Sequence, residues 1–426
     1  GSRIMLRTAF ALVIALSGSL AVAADWPAFR GPQGNGIAPQ DASPPLKWDR
    51  EKNVAWRVKL DATGNSSPIV VGSVVYITES DKPGKTLTLR AFDRDGGAEL
   101  WKQSVTDEKP GPTHQTNPYA AATPVSDGRR VVVWYGQAGL HCYSHDGNPD
   151  WSVETPNVKH IWGYGSSPII HAGRVYLNTG IGPESFVAAY DVTNGQPVWK
   201  TPEPGGDEGT SQKSGGWIGS WATPTVVMVE GAEQLLVPQP TRVVAYDLAD
   251  GKILWYCEGL DNQPRGSLAY TSAMIGDGYA VIMGGFNGPA FGLKLGGQGN
   301  VTDTNRLWRT EKNNPQRIGS AVVLGDLVFH ANSGPGLIEC LDIKTGKERW
   351  RARPETEGSF WGSVVHAGNR LYATNQNGTT LVFAPNPTEF ELLAENPLGE
   401  HCNATPAISG RDIFIRTYAG LYGIRE

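Results

Sequence analysis

The chain has 426 residues, in which 37 Lys and Arg residues are outnumbered by 42 Asp and Glu residues. This mildly acidic balance excludes the basic surface on which nucleic-acid binding depends. The four cysteines (Cys142, Cys257, Cys340 and Cys402) are too few and too scattered for a disulfide scaffold; one disulfide stays possible, but the sequence does not pair them.

The first predicted element is a secretory leader. Arg7 precedes the apolar run AFALVIALSGSLAVAA, which is short and interrupted for a membrane span, and small residues stand at Val22 and Ala24. We expect residues 1–24 to be a signal peptide with two added residues at its start. Cleavage after Ala24 then leaves a secreted or periplasmic protein without a membrane span. A membrane anchor is the alternative, whereas a lipid anchor is not expected because no Cys follows the small residues.

A hairpin phrase then recurs eight times along the chain. NSSPIVVGSVVYIT (65–78), AATPVSDGRRVVVWY (121–135) and GSSPIIHAGRVYLNT (165–179) are clear copies, and YTSAMIGDGYAVIM (270–283) is a looser one. Each copy joins a short apolar strand to an alternating strand through a turn that contains Gly or Asp. This pattern predicts a β-hairpin.

A second phrase follows the hairpin and ends in tryptophan. AFDRDGGAELW (91–101), AYDVTNGQPVW (189–199), AYDLADGKILW (245–255) and CLDIKTGKERW (340–350) place an Asp, a Gly and a Trp four residues apart. We expect the Gly to adopt a positive φ, and the Trp to fill the wedge between adjacent sheets while its N–H donates to a backbone carbonyl. The seven predicted structural tryptophans are Trp56, Trp101, Trp151, Trp199, Trp255, Trp308 and Trp350, with Leu392 or its neighbour at the degenerate position.

Together the two phrases describe a four-stranded antiparallel unit of about 40–55 residues, which is typical of propeller blades. Eight hairpins but seven complete Asp/Gly turns leave the last blade without an outer strand, and LKWDREKNVAWRV (46–58) is predicted to supply it. We therefore predict an all-β fold, a single eight-bladed β-propeller over residues 46–426, preceded by an N-terminal extension at 25–45. Joining both chain ends in one blade would close the ring without free edges.

The consensus A-x-D-x-x-[TAN]-G-x-x-x-W resembles the tryptophan-docking repeat of the quinoprotein-dehydrogenase-like propellers, over roughly residues 46–426. That superfamily includes the quinone (PQQ) alcohol dehydrogenases and the outer-membrane assembly propeller of bacteria. The stretch DWPAFRGPQGNGIA resembles the start of secreted bacterial PQQ-like repeat proteins. The resemblance implies a fold, whereas function has to be argued from a site.

The resemblance to the dehydrogenases implies PQQ beneath a pair of adjacent cysteines, with Ca²⁺ held by Glu, Asn and Asp. No two cysteines are adjacent in this chain, no haem motif is present, and no carboxylate matches the catalytic Asp of that family. We therefore expect no cofactor. A metal site built from His114, His160 and His401 is not expected either, because their spacing fits no local ligand pattern.

The loops leading into the innermost strands, and those between second and third strands, share one face of a propeller, here called the upper face. This face collects aromatic, His, Arg and amide side chains, which suit a sugar or a carboxylate-bearing ligand. We expect it to bind a polar or anionic saccharide, with Trp on the sugar ring and Arg on a carboxylate or sulfate. The predicted ligand residues are Trp162, Trp217, Trp221, Arg265, Arg317, Trp361 and His401.

Two alternatives stay open for the same face. A polysaccharide lyase needs a base for the α-proton of a uronate and a cation for its carboxylate. The candidates for these roles are His160, Tyr164, Tyr270, His330 and Arg265. The resemblance to the outer-membrane assembly propeller implies instead a scaffold for an envelope protein, although this chain lacks the Cys that anchors that propeller. In each case we expect a monomer.

Overall fold

The computed structural model describes residues 25–157, 159–203, 217–262, 266–311 and 314–426, so the predicted signal peptide lies outside the described residues. Eight antiparallel sheets follow one another along the chain as the blades of a β-propeller. The prediction of an all-β, eight-bladed propeller is therefore confirmed. Within the described part of the chain, no helix has the length and apolarity that a membrane crossing requires.

Blades 1 to 4 follow one another in chain order, each with its innermost strand first. Their strands are Ile69–Val71, Val74–Ser80, Thr86–Asp93 and Glu99–Thr106 in blade 1; Val125–Ser126, Arg130–Trp134, Leu140–Ser144 and Pro149–Val153 in blade 2; Ile169–His171, Arg174–Asn178, Phe186–Asp191 and Pro197–Pro202 in blade 3; and Thr225–Val229, Ala232–Pro238, Arg242–Asp247 and Ile253–Glu258 in blade 4.

Blades 5 to 8 continue the same order, and blade 8 takes its outer strand from the other end of the chain. Their strands are Met274–Gly276, Tyr279–Met283, Ala290–Lys294 and Arg306–Arg309 in blade 5; Val322–Leu324, Leu327–Ala331, Ile338–Asp342 and Glu348–Ala352 in blade 6; Val365–Ala367, Arg370–Thr374, Thr379–Phe383 and Leu392–Pro397 in blade 7; and Ala407–Ser409, Asp412–Arg416, Gly420–Ile424 and Val54–Lys59 in blade 8.

Blades 4 and 5 carry additions that the repeat pattern did not predict. Gly299–Asn300 adds a short fifth strand, parallel to the outer strand of blade 4, and the helix Thr302–Asn305 follows it. On the upper face, Trp217–Ser220 pairs in parallel with Gly266–Ala269. A 3₁₀ turn at Gly136–Ala138 is the other short helix of the described residues.

Most of the structural tryptophans contact the next blade in the same way. The indole N–H donates to the carbonyl that follows the Asp of the neighbouring turn, as in Trp56 to Arg94 at 2.8 Å and Trp199 to Leu248 at 3.0 Å. The Gly of that turn has a positive φ and lies against the indole face, so a side chain would collide with the ring. The repeated Gly therefore serves the turn and the blade contact together.

Two blades depart from this arrangement. Trp255 donates instead to Gln234 Oε1 at 2.8 Å, because the segment that would supply the next turn pairs with the strand of Trp255 itself. In blade 7 the register places Ala394, rather than Leu392, at the tryptophan position. Trp48 lies in the same apolar cluster as Ala394 and stacks on Tyr372. A residue of the segment that precedes the outer strand of blade 8 therefore fills a wedge that blade 7 leaves open.

The substitution Gly251→Ala tests this double role. Gly251 has a φ of 74°, and a Cβ would lie 2.4 Å from the Trp199 ring. We expect the free energy of unfolding to fall by ~1–2 kcal/mol for the left-handed backbone and by a further ~1–3 kcal/mol for overpacking. Gly231→Ala is the matched control, since Gly231 has a φ of 85° but open space around it. Equal losses in urea denaturation of the two variants would show that the indole contact has no role.

The N-terminal extension crosses one end of the propeller axis. Trp26 pairs with Val70 of blade 1, and Gly36 accepts the N–H of His366 in blade 7 at 2.7 Å. Asp25 bonds the turn at Gly72, which follows the innermost strand of blade 1. These contacts put the extension at the end opposite the upper face, so it closes the channel from below.

The core consists of apolar clusters that lie between neighbouring blades, and one of them spans blades 7, 8 and 1 together with the extension. All four cysteines are buried and unpaired. Burial raises the pKa of Cys142, Cys340 and Cys402 to about 12, and that of Cys257 to about 11. They are therefore protonated, unreactive core residues at neutral pH.

Candidate functional site

A cavity of about 370 Å³ opens along the axis at the upper face. Its floor is Phe29 of the N-terminal extension, and the upper loops form its mouth. Cavities of this size and position are where propellers and barrels commonly bind small ligands. Its remaining lining residues are Asn65, Ser67, His114, Thr116, Asn117, Ala121, Thr123, Trp162, Gly165, Ser167, Trp221, Thr223, Tyr270, Phe286, Gln316, Ile318, Gly319, Ser320, Trp361, Ser363, Asn403 and Thr405.

Aromatic side chains from blades 3, 4 and 5 form one wall. Trp162 stacks on Phe286 with ring centroids 5.9 Å apart and 25° between planes. Tyr270 meets Trp221 edge-on at 5.3 Å, and the Trp221 N–H donates to the Gly163 carbonyl at 2.8 Å. Phe286 is 38% exposed at the mouth and has a φ of 51°. Flat apolar faces held in fixed orientations suit the face of a sugar ring.

His160 lies behind this wall and is fully buried. Its ring centroid is 4.7 Å from that of Trp221 and 5.1 Å from that of Trp162. Burial lowers the pKa of His160 to about 4, so the ring is neutral at pH 7. The Nδ1 atom of His160 accepts the backbone N–H of Trp162 at 3.2 Å, which places the imidazole proton on Nε2. His160 therefore supports the aromatic wall and does not line the cavity.

The upper loops of blades 8, 1 and 2 contribute an amide network. Asn403 donates to Asn65 Oδ1 at 3.3 Å and to the Thr116 carbonyl at 3.1 Å. Asn117 donates to the Trp162 and Tyr164 carbonyls at 2.7 and 2.9 Å, which ties this network to the aromatic wall. Amides held in this way can bond the hydroxyl groups of a ligand in defined directions.

Only some of the predicted ligand residues meet at the cavity. Trp162, Trp221 and Trp361 line it, and Trp217 packs behind Trp162 at 5.3 Å. His401 packs edge-on against Tyr418 at 4.5 Å and is not part of the lining. Arg265 lies outside the described residues.

The described arginines of the upper loops do not line the cavity, contrary to expectation. Arg317 is buried and donates to Glu339 at 3.2 Å. Arg242 pairs with Glu203, and Arg416 is buried between blades 8 and 1. Among the described residues that line the cavity, none is Asp, Glu, Lys or Arg. The described part of the wall therefore offers neutral polar and aromatic groups.

The candidate catalytic residues do not form a constellation either. Tyr164 is buried, with its OH accepting the Ala120 N–H at 3.2 Å, and His330 bonds the Gly319 carbonyl inside blade 6. Tyr270 lines the cavity, but burial raises its pKa far above the ordinary value. Of the four described candidates, Tyr270 alone reaches the cavity.

The lining residues also fit poorly with a bound PQQ. PQQ is a tricarboxylate, and buried carboxylates need cations or a metal ion as partners. The described lining residues include no Lys or Arg, and no three His, Cys, Asp or Glu among the described residues lie close enough together to hold a metal ion. The four cysteines are apart in the structure and away from the cavity.

Sequence reasoning missed the polar side of the cavity. Asn65 and Thr116 carry little sequence signal, because amides and hydroxyls are common in loops. The exception is the Ser or Thr that ends the loop in each hairpin phrase, as Ser67 in NSSP and Thr123 in AATP. This residue recurs in every blade, and in every blade except blade 5 it lines the cavity.

The blades, their docked tryptophans and the axial cavity define a propeller of the PQQ-like repeat class. A sequence profile of the family described as outer membrane protein assembly factor BamB matches residues 85–351 and 298–389. The match covers most of the chain, which therefore belongs to this family. No curated protein matches the chain significantly.

Solved structures show the same fold at low sequence identity. BamB from Moraxella catarrhalis superposes with a TM-score of 0.60 at 13% identity, over 87% of this chain and 99% of that chain. A europium-containing methanol dehydrogenase gives 0.64 at 12% identity, over 94% and 90% of the two chains. Quinohemoprotein alcohol dehydrogenase from Comamonas testosteroni gives 0.66 at 14% identity, over 94% and 80%. These similarities establish the fold alone.

Proposed function

We propose that this protein is a non-catalytic ligand-binding propeller of the cell envelope whose axial cavity binds a saccharide. The observation that carries the proposal is the pairing of an aromatic wall with an amide network around one cavity of about 370 Å³. Trp162, Trp221 and Trp361 offer apolar faces for sugar rings, while Asn65 and Asn403 offer hydrogen bonds to sugar hydroxyls. Binding is favoured over catalysis because His160, a candidate base, stands behind the wall, and burial lowers its pKa to about 4, which makes it a weak base.

A glycan array on the purified protein, followed by calorimetry on the glycans that bind, tests the proposal. Absorbance at 235 nm after incubation with each binder detects the unsaturated product that a lyase would release. Binding without that absorbance supports the binding function, and binding with it would replace the proposal by the lyase. An array without any bound glycan would contradict saccharide binding.

Trp361→Leu is expected to weaken saccharide binding. Trp361 is half-buried and lines the cavity, and leucine keeps an apolar side chain but removes the flat face. Loss of a central aromatic contact typically costs about 2 kcal/mol, so we expect Kd in calorimetry to rise at least ~10-fold. Trp151→Leu is the matched control, because Trp151 docks at the outer strand of blade 2 and should leave Kd unchanged. A Trp361→Leu protein with the original Kd would place the ligand elsewhere.

The family description favours a second candidate, a scaffold that binds an envelope protein. This function would use surface rather than cavity residues, and it does not depend on Trp361. Crosslinking in envelope extracts distinguishes the two functions. Capture of one defined envelope protein that persists in Trp361→Leu, together with an empty glycan array, would favour the scaffold.

A further inference from the structure

A ring of hydroxyl groups surrounds the propeller axis inside the cavity. Each of its seven members accepts the backbone N–H of the equivalent residue in the neighbouring blade, at distances of 2.9–3.1 Å. Between blades 4 and 5 this bond is missing among the described residues, and Ser272 does not line the cavity. The members of the hydroxyl ring are Ser67, Thr123, Ser167, Thr223, Ser320, Ser363 and Thr405.

The hydroxyl ring has unused donors. A Ser or Thr hydroxyl carries one proton to donate and an oxygen that accepts. Here each oxygen is already bonded to a backbone N–H, and within the described part of the chain no ring hydroxyl donates to a protein group. All seven side chains are more than nine-tenths buried and line the cavity. Seven O–H groups that line the channel are therefore free to donate to a bound molecule.

Two buried arginines lie beside the hydroxyl ring. Arg30 donates to the carbonyl of Ala321, the residue after Ser320, and Arg416 donates to Ser66 Oγ at 3.1 Å, next to Ser67. Both guanidinium groups are about 1% exposed.

These two charges lack a paired carboxylate. No carboxylate of the described residues lies within 4.0 Å of either guanidinium group, and Arg30 Nε and Arg416 Nη2 have no hydrogen-bond partner. Glu79 is the carboxylate whose charge raises the pKa of Arg416, but it is paired with Arg90 at 3.2 Å. Burial lowers the pKa of Arg30 to about 9 and that of Arg416 to about 10, which shows how costly the unpaired charges are.

We propose that the hydroxyl ring binds an oxyanion on the propeller axis, either a free anion such as sulfate or the acidic group of a larger ligand. An oxyanion presents acceptors only, and the protons of the hydroxyl ring are donors without an assigned acceptor among the described residues. Its negative charge would act favourably on Arg30 and Arg416, which bond groups next to Ser320 and Ser67. The second source, an acidic group on a saccharide, rests on the proposed function.

Sodium sulfate is the probe, in calorimetry and thermal melting at constant ionic strength with chloride as balance. We expect saturable binding of one sulfate and a rise in Tm that chloride does not give. The double variant Thr123→Val, Thr405→Val keeps the side-chain shape but removes two donors, together with the oxygens that accept the Ser67 and Ser363 N–H groups. Once far-UV circular dichroism shows a native spectrum for this variant, its sulfate Kd should be at least ~10-fold higher. Thr374→Val is the control, because Thr374 is equally buried but bonds Thr380 in blade 7.

The outcomes separate this inference from the proposed function. No sulfate binding, or equal binding by the double variant and the wild type, overturns the oxyanion site, even where a neutral sugar still binds. Sulfate binding without any sugar binding supports the ring and contradicts the saccharide. If both hold, glucuronate should bind more tightly than glucose, and only the glucuronate preference should disappear in the double variant.

Discussion

Deletion of residues 25–60 is expected to unfold the whole propeller rather than shorten it at one end. The deletion removes the outer strand of blade 8, Val54–Lys59, and the Trp56 contact with blade 1. It also removes Trp26 and Trp48, which are 0% and 3% exposed. Truncating a buried tryptophan typically costs about 3–5 kcal/mol. Three such losses, about 9–15 kcal/mol in all, are comparable to the total stability of a typical domain, about 5–15 kcal/mol.

Far-UV circular dichroism and thermal melting measure the effect of this deletion. Each blade packs on two neighbours, so the open ring leaves the cluster of blades 7, 8 and 1 exposed to water. Trp56→Ala is the control, because it keeps the strand and should lower stability by about 3–5 kcal/mol while the far-UV spectrum stays native. A truncated protein with a native spectrum and an unchanged Tm would show that the chain ends do not hold the ring together.

The sequence predicts the repeated parts of the fold because each repeat has a local physical cause. Gly251 must be Gly, since it has a positive φ and lies against Trp199, and such positions leave a visible pattern in every copy. The exceptions depend on contacts between distant segments. Neither the pairing of Gly299 with Trp255 nor the placement of Trp48 beside Ala394 has a local signature.

The candidate site is less predictable, for a physical reason that concerns charge. Trp162, Trp221 and Trp361 reach the cavity because large aromatic side chains in the upper loops have few other places to pack. Arg317 has an alternative, because the fold brings Glu339 within 3.2 Å from the third strand of its own blade. Loop composition predicts which groups lie near a face, whereas the partner of each charge depends on tertiary structure.

The hydroxyl ring joins the stability of the propeller to the shape of its cavity. The oxygen that accepts the N–H of the preceding blade, as Thr123 does from Ser67, holds its hydroxyl group at the axis. A change in the spacing of blades would therefore alter the donors that face the axis. This coupling explains why a ligand in the cavity should raise the Tm of the whole ring.

Glu339→Gln is expected to destabilise the protein by about 3–5 kcal/mol at pH 7, since it leaves the buried Arg317 without its partner. Glu339 is fully buried, accepts from Arg317 and Arg351 at 3.2 and 3.3 Å, and lies 3.5 Å from His330 Nδ1. Burial, the largest single influence, would raise the pKa of Glu339, but the positive charge of Arg317 together with His330 and Arg351 outweighs it and lowers the pKa to about 2.

The sign of the pH dependence follows from this lowered pKa. The ordinary value for Glu is 4.5, so the folded state holds the carboxylate ionised where the unfolded chain would already take up a proton. The stabilisation is therefore complete above about pH 4.5 and is lost as the pH falls towards 2. Urea denaturation from pH 7 to pH 2.5 should show a fall in wild-type stability that is reduced in Glu339→Gln.

Glu348→Gln is the control variant. It removes an exposed carboxylate that contacts the same Arg351 at 2.7 Å, and such pairs contribute at most about 1 kcal/mol. Both carboxylates contact Arg351, but Glu339 is buried whereas Glu348 is exposed. Similar losses of stability in the two variants would therefore mean that burial does not strengthen the Glu339 interaction.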